Sequence, residues 1–257
     1  MKKMVRGLYA AATGMLAEMS KHDVIANNLA NINTVGFKED TLTFESFPLV
    51  LVKAMEGNKI NNTSSIGYLG TGVGISETVF DNSQGALKET GNKLDFALTG
   101  DGFFVLSTPG GEMYTRNGSF TLDTQGRLVD AHGYFVLGQN GAIQVDGDEV
   151  SVDKNGDMVV DGEQMDSLRI VKFDQPEETL RKVGENLFQV SEGTVVVPQA
   201  ADNVAVSQGF VEASNVNVAK EMIEMMISLR AYEANQKAIH SQDEMLGKAV
   251  NEVGRLR

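Results

Sequence analysis

The chain of 257 residues contains no cysteine. It can therefore form no disulfide, no thiolate nucleophile and no cysteine-based metal site, a composition compatible with any redox compartment and with export. It contains no tryptophan either, and its 42% of apolar residues supports a core without making it a rich one. No run approaches the roughly 18 apolar residues of a membrane helix, so no membrane span is expected. The three histidines, His22, His132 and His240, fall in three different segments. Neither Gly-x-Ser-x-Gly nor His-Glu-x-x-His occurs. Paired carboxylates such as Asp148-Glu149 and Glu177-Glu178 stand in polar, turn-like sequence, where solvation accounts for them. No catalytic, cofactor-binding or metal residues are expected.

Three weaker signals dissolve on inspection. Gly70-Thr-Gly-Val-Gly74 suggests a phosphate loop, but it lacks the following Lys and the dinucleotide-binding spacing. Asp153, Asn155 and Asp157 open like a calcium loop. An EF-hand needs Gly sixth and Glu twelfth, whereas here Gly156 is fourth and Gln164 is twelfth. His240, Asp243 and Glu244 share a helical face, which reads as a solvated polar stripe.

Charge is unevenly placed. Residues 1–40 and 211–257 together carry eleven basic and eleven acidic side chains, so the whole net charge of −13 lies between 41 and 210. An acidic middle repels nucleic acid and anionic lipid. Near-neutral ends can approach copies of themselves without a Coulomb penalty.

Those ends are the most regular parts of the chain. Stepping by three and four from Val5 gives Leu8, Ala12, Met15, Met19, His22, Ala26 and Leu29, where only His22 is polar. Stepping by four and three from Val218 gives Met222, Met225, Leu229, Tyr232, Gln236, Ile239, Asp243, Leu246, Val250 and Val253, interrupted by Gln236 and Asp243. A mean period of 3.5 predicts two long helices with narrow apolar stripes, able to pack as a coiled-coil-like pair. Ser214, Asn215 and Asn217 offer N-cap chemistry, and Glu221 and Glu224 place negative charge near the second helix's start. Arg255 and Arg257 place positive charge at its end. Lys2, Lys3 and Arg6 before a short apolar run resemble a signal peptide. Thr13 and Gly14 interrupt that run while the periodicity continues to Leu29, so a retained helix is expected.

Between the ends, four Asn within Asn27–Asn33, followed by Gly36, predict a cap and turn. Residues 37–76 read as a partly extended or flexible connector. From 77 to 200 short apolar runs such as Phe103-Phe-Val-Leu106 alternate with turn signals including Asn117-Gly118, Gln125-Gly126, Asn140-Gly141, Asp146-Gly147 and Asn155-Gly156. This predicts a central antiparallel all-β domain, a sandwich or irregular barrel. Residues 201–213 form a return connector and 214–257 the C-terminal helix, with 1–36 holding the N-terminal one. The fold class is mainly β with α.

Three sets of motifs then point to a family. Leu8-Tyr-Ala-Ala-Ala-Thr-Gly-Met15, Asp23-Val-Ile-Ala-Asn-Asn-Leu-Ala-Asn31 and Thr34-Val-Gly-Phe-Lys38 resemble the N-terminal signature of the bacterial flagellar rod and hook proteins. Gly209-Phe-Val-Glu-Ala-Ser-Asn-Val-Asn-Val218, Arg230-Ala-Tyr-Glu-Ala-Asn-Gln-Lys-Ala-Ile239 and Asp243-Glu-Met-Leu246 resemble its C-terminal half. Gly91–Leu98, Gly100–Phe104 and Tyr114–Phe120 resemble middle-domain motifs. Length and motifs are most similar to the basal-body rod proteins of FlgG and FlgF type. The resemblance implies an exported, axial, non-enzymatic subunit of the rod that crosses the cell envelope. It implies assembly through the terminal helices with copies of itself and other rod and hook proteins into a torque-transmitting tube. It also implies passage through the flagellar type III apparatus without cleavage, and no small-molecule substrate. The residues marked for assembly are the apolar members of both stripes. Asn27, Asn28, Asn31, Gly36, Phe37, Ser214 and Asn215 belong to the family motifs. A hook or hook-associated protein of the same family is the alternative. A secreted cell-wall hydrolase would instead show a cleft with convergent carboxylates, and an adhesin or cap-like module would lack the doubled terminal signature.

Overall fold

The protein is described here by a computed structural model covering residues 2–47, 50–55, 63–70, 72–147, 149–191, 193, 196–201 and 204–253. Arg255, Arg257, Asp148 and residues 56–62 of the connector lie outside the described residues, as do the side chains of Val5 and Val253. The chain is mainly β with a helix at each end: α1 spans Lys2–Ala30, a single turn α2 spans Pro176–Thr179, and α3 spans Val218–Val253. It divides into two compact units, Met1–Asn28 with Asp40–Val79 and Val218–Arg257, and Leu29–Glu39 with Phe80–Asn217. We call them the helical unit and the β unit. No helix of the described residues is long and apolar enough to cross a membrane.

In the helical unit, α1 stops where the Asn cluster begins, since Asn side chains compete for backbone groups inside a helix. Two antiparallel strand pairs occupy the described part of the connector. Strand Val50–Met55 pairs antiparallel with Thr63–Leu69, and Asp40–Ser46 pairs with Val73–Phe80. The Ser- and Gly-containing run Thr63-Ser-Ser-Ile-Gly-Tyr-Leu69 reads as loop chemistry, yet cross-strand pairing overrides local propensity.

The β unit is organised on strand Phe103–Thr108. It pairs antiparallel with Gly111–Thr115, Phe135–Gly138 and Ile170–Lys172. Its unbroken apolar run is explained by burial on both faces. Phe104 and Leu106 enter one cluster with Phe120, Leu128 and Val136, while Phe103 and Val105 enter a second with Phe80, Tyr114, Phe173 and Phe188. Aromatic pairs knit each side, with Phe104 to Phe120 at 5.3 Å and Phe103 to Phe188 at 5.4 Å. Among the described residues the main sheet is open, running from Leu180–Gly184 at one edge to Thr121–Leu122 at the other, and no barrel closes.

Turn chemistry departs partly from the sequence reading. Asn117-Gly118 is not a primed turn: a Cβ on Gly118 would overlap the Phe96 carbonyl oxygen, so this glycine serves close strand approach. Three turns share one device instead. Asp123, Asp130 and Asp153 each accept, on one carboxylate oxygen, the backbone N–H groups two and four residues on, at 2.8–3.0 Å. Gly126, Gly133 and Gly156 follow each at positive φ. The likeness between residues 123–129 and 153–159 is thus a repeated turn with a third copy at Asp130-Ala-His-Gly-Tyr134, and it needs no ion. Asp130 is buried and Asp153 exposed. Asp130→Ala is therefore expected to cost about 2–3 kcal/mol and Asp153→Ala about 1 kcal/mol, an ordering that urea unfolding midpoints would check.

Candidate functional site: paired helices and a buried ionic clasp

Within the helical unit α1 and α3 run antiparallel, and several of their contacting positions stand seven residues apart. On α1 the contacting positions include Gly7, Gly14, Lys21 and Asn28; on α3 they include Glu221, Ser228, Asn235 and Gln242. A Cβ on Gly7 would overlap the Gln242 amide, and one on Gly14 would stand 3.0 Å from the Asn235 amide. The Ser228 hydroxyl donates to the Glu18 carbonyl at 3.0 Å, and Lys21 Nζ pairs with Glu224 at 2.7 Å. That pairing holds the Glu224 carboxyl below its ordinary pKa, chiefly through the Lys21 hydrogen bond. At the far end the Asn28 side chain is buried, donating to Glu221 Oε2 at 3.1 Å and clamping the Asp40 backbone through two 2.9 Å bonds.

This facing line is one residue out of phase with the apolar stripe. Among the described side chains of α1, Ala11, Ala17, Ile25 and Asn28 are buried. The two expected stripes do not simply bury each other. Leu8, Ala12, Met15, Leu29, Met225, Ile239 and Leu246 are half-buried. Met19, Ala26, Val218, Met222, Leu229, Tyr232 and Val250 are exposed. The physical reason is that glycine and short polar side chains permit close helix approach with specific hydrogen bonds, which leaves the bulkier Leu and Met outward. Tyr9, Leu16, Ile223, Met226 and Ile227 are also exposed. Exposed apolar side chains thus lie on several sides of both helices, interleaved with charged and polar ones.

Within the β unit, the segment after α1 and the segment before α3 meet at an ionic clasp. Gly36 takes φ 68°, and its N–H donates to the Glu212 carbonyl at 2.8 Å. Phe37 is buried, with Lys182 Nζ 4.1 Å from its ring centre. Lys38 follows, wholly buried, and its Nζ donates to Glu212 Oε1 at 2.6 Å and to the Ser83 carbonyl at 2.7 Å. Glu212 Oε2 meets Arg116 Nη1 at 3.4 Å, and Oε1 also accepts the Gly85 N–H at 2.9 Å. Arg116 Nη2 donates to the Gly100 carbonyl at 2.8 Å. Burial pushes the Lys38 ammonium below its usual pKa, and Glu212 opposes that; Arg116 is lowered by burial in the same way.

Asn215 completes the clasp, accepting the Glu39 N–H at 2.7 Å and donating to the Asp81 carbonyl at 3.0 Å. This corrects its expected N-cap role: α3 starts at Val218, so Asn215 stands too far before it, and Ser214 Oγ accepts the Val216 N–H instead. Asn31 Oδ1 accepts the Thr34 hydroxyl in the turn after α1. The motif residues Gly36, Phe37 and Asn215 are thus drawn together. Lys38, Arg116 and Glu212, which carry the clasp, had no role assigned from sequence. Each of the three lies inside a motif quoted for the family, Thr34–Lys38, Tyr114–Phe120 and Gly209–Val218, but no local pattern says which of them pair. The arrangement fixes backbone segments and offers no nucleophile with a base, and no group of acidic or histidine residues able to hold a metal occurs among the described residues.

Comparison with known proteins agrees over nearly the whole length. Residues 8–38 match the family described as flagella basal body rod protein, 97–228 the flagellar hook protein FlgE/F/G D1 domain, and 207–252 the flagellar basal body rod FlgEFG protein C-terminal region. Flagellar basal-body rod protein FlgG of Bacillus subtilis is 37% identical over 96% of this chain and 99% of its own length. FlgG of Borreliella burgdorferi is 34% identical over 96% and 98%, and FlgF of Rhizobium meliloti is 32% identical over 98% and 99%.

Proposed function

The chain belongs to the flagellar basal-body rod protein family, a structural family and not an enzyme family, and from that premise we propose that it builds the rod through its terminal helices. On this reading it is a FlgG-type subunit, supported by identities of 34–37% to FlgG proteins against 30–32% to FlgF proteins. α1 and α3 form a coiled-coil-like antiparallel pair, which the seven-residue spacing of several contacting positions supports. Copies of the chain and other rod and hook proteins cover the remaining apolar faces, giving a tube that carries torque from motor to hook. The chain reaches that place through the flagellar type III apparatus and stands outside any membrane.

The observation that carries the reading is the exposed apolar surface of two helices whose net charge is close to zero. Burying one Leu side chain contributes roughly 1.5–3 kcal/mol, and each 1.4 kcal/mol is about tenfold in association. Leu229→Asp is therefore expected to raise the concentration needed for polymerisation by at least about tenfold while the urea midpoint of the β unit stays unchanged. Sedimentation of the purified full-length chain reads the first quantity and far-ultraviolet circular dichroism the second. Normal polymerisation by this variant would remove the helices as the assembly surface.

A further inference from the structure

Every sulfur atom of this chain is a thioether, since it has 12 Met and no Cys. The helices hold most of them: Met4, Met15 and Met19 lie in α1, and Met222, Met225, Met226 and Met245 in α3. Met19, Met222 and Met226 are 57%, 53% and 54% exposed, whereas Met158 in the β unit is fully buried. The three exposed thioethers border one apolar feature. Met19 of α1 walls a groove with Leu229 and Tyr232 of α3. Met222 and Met226 are four residues apart and Met226 and Leu229 three, so these three side chains share one face of α3. Leucine would supply similar apolar surface and lose less rotamer freedom on burial. What methionine adds is a soft sulfur, which adapts its packing and which hydroperoxides oxidise.

We propose that Met19, Met222 and Met226 form an oxidation-sensitive modification site that decides whether a subunit can assemble. This rests on the rod-subunit reading and adds a means of regulating the helical surface. The reactant is a hydroperoxide. The thioether sulfur attacks the outer peroxide oxygen, an S–O bond forms and the O–O bond breaks. Sulfur gives up two electrons, and the peroxide is reduced to water or an alcohol. The sulfoxide that results is polar and chiral. In the free chain it stays in water at little cost. At a contact between copies it must leave water without an assured partner, which is unfavourable. Assembly in turn covers the sulfur atoms, so an oxidised subunit is refused and an assembled one is protected. Methionine sulfoxide reductases reverse the change, so the site can act as a switch.

The test compares free and polymerised full-length chains given the same brief dose of hydrogen peroxide, with mass spectrometry of their peptides reading the added oxygen at each Met. Met19, Met222 and Met226 are expected to oxidise in the free chain and at least about tenfold more slowly in the polymer, and Met158 in neither, because susceptibility follows exposure. Equal rates at the three in both states would count against the proposal and against the helices as the assembly surface. The oxidised chain is expected to need at least about tenfold more protein to polymerise, and a sulfoxide reductase to restore the original value. Protection in the polymer together with normal polymerisation of the oxidised chain would overturn the proposal alone. In a Met19→Leu, Met222→Leu, Met226→Leu chain, peroxide should leave whatever polymerisation that variant has unaltered, whereas a Met245→Leu chain should stay as sensitive as the unsubstituted one. A triple variant that still loses polymerisation on oxidation, or protection by Met245→Leu, would overturn the assignment. Failure of the untreated, unsubstituted chain to polymerise at all would overturn the rod reading with it.

Discussion

Glu212→Gln is expected to destabilise the β unit by about 3–5 kcal/mol, because it removes the shared carboxylate from two buried cations. Lys38 and Arg116 are 0% and 2% exposed, so neither can turn to water without opening the core. Gln is nearly the same size as Glu, so the loss comes from charge and not from a cavity. Replacing the three residues together by apolar ones of similar volume should restore much of the stability, since a buried ion cluster is costly mainly when half of it is removed. The defect should also depend on pH in a definite direction. Lys38 already sits below its ordinary pKa of 10.5 through burial, and Glu212 is the main influence raising it. Without Glu212 the folded-state value falls further, so the unfolded chain binds the proton more tightly over a wider window. Stability then rises with pH across that window. The defect should be largest near neutrality and shrink as the pH is raised toward the ordinary lysine value of 10.5, since Lys38 gives up its proton below that value. Arg116 stays charged throughout, so part of the defect persists. Urea unfolding followed by circular dichroism at both pH values would show this, and a pH-independent defect would mean that Lys38 is not the group left uncompensated.

The clasp was out of reach of sequence reasoning for a physical reason. Lys38 and Glu212 are 174 residues apart, and nothing in local propensity or periodicity couples them. The helices show the complementary case. Their 3.5-residue period was legible in both stripes, but its phase was not, because hydrophobicity marks the sides left outward. The helix contact itself is made by Gly7, Gly14, Asn235 and Gln242. A small residue facing an amide gives no hydropathy signal. The central strand was legible at Phe103-Phe-Val-Leu106, since a run buried on both faces needs no alternation. The connector was not, because its strands are selected by pairing partners and not by composition.

Gly36→Ala is expected to destabilise the β unit strongly. The φ of 68° places Gly36 in the left-handed region, where a side chain costs about 1–2 kcal/mol. The added Cβ would also overlap the Asn117 backbone nitrogen and stand 2.5 Å from the Arg116 carbonyl carbon. Both neighbours are backbone, held by the Asn117 N–H donating to Thr115 Oγ1 at 3.0 Å and by the Arg116 side chain in the clasp, so neither yields as a flexible side chain would. The methyl must push Val35–Lys38 away from the Arg116–Asn117 backbone, and that movement breaks the Gly36 N–H bond to Glu212 and draws Lys38 from its carboxylate. Conformational strain and loss of the clasp therefore add, and the total should match or exceed the Glu212→Gln defect. The two variants should also be strongly non-additive, since they break one network. A double variant little worse than either alone would establish that Gly36 acts by seating Lys38. A double variant showing the full sum would mean that the glycine serves only its own turn.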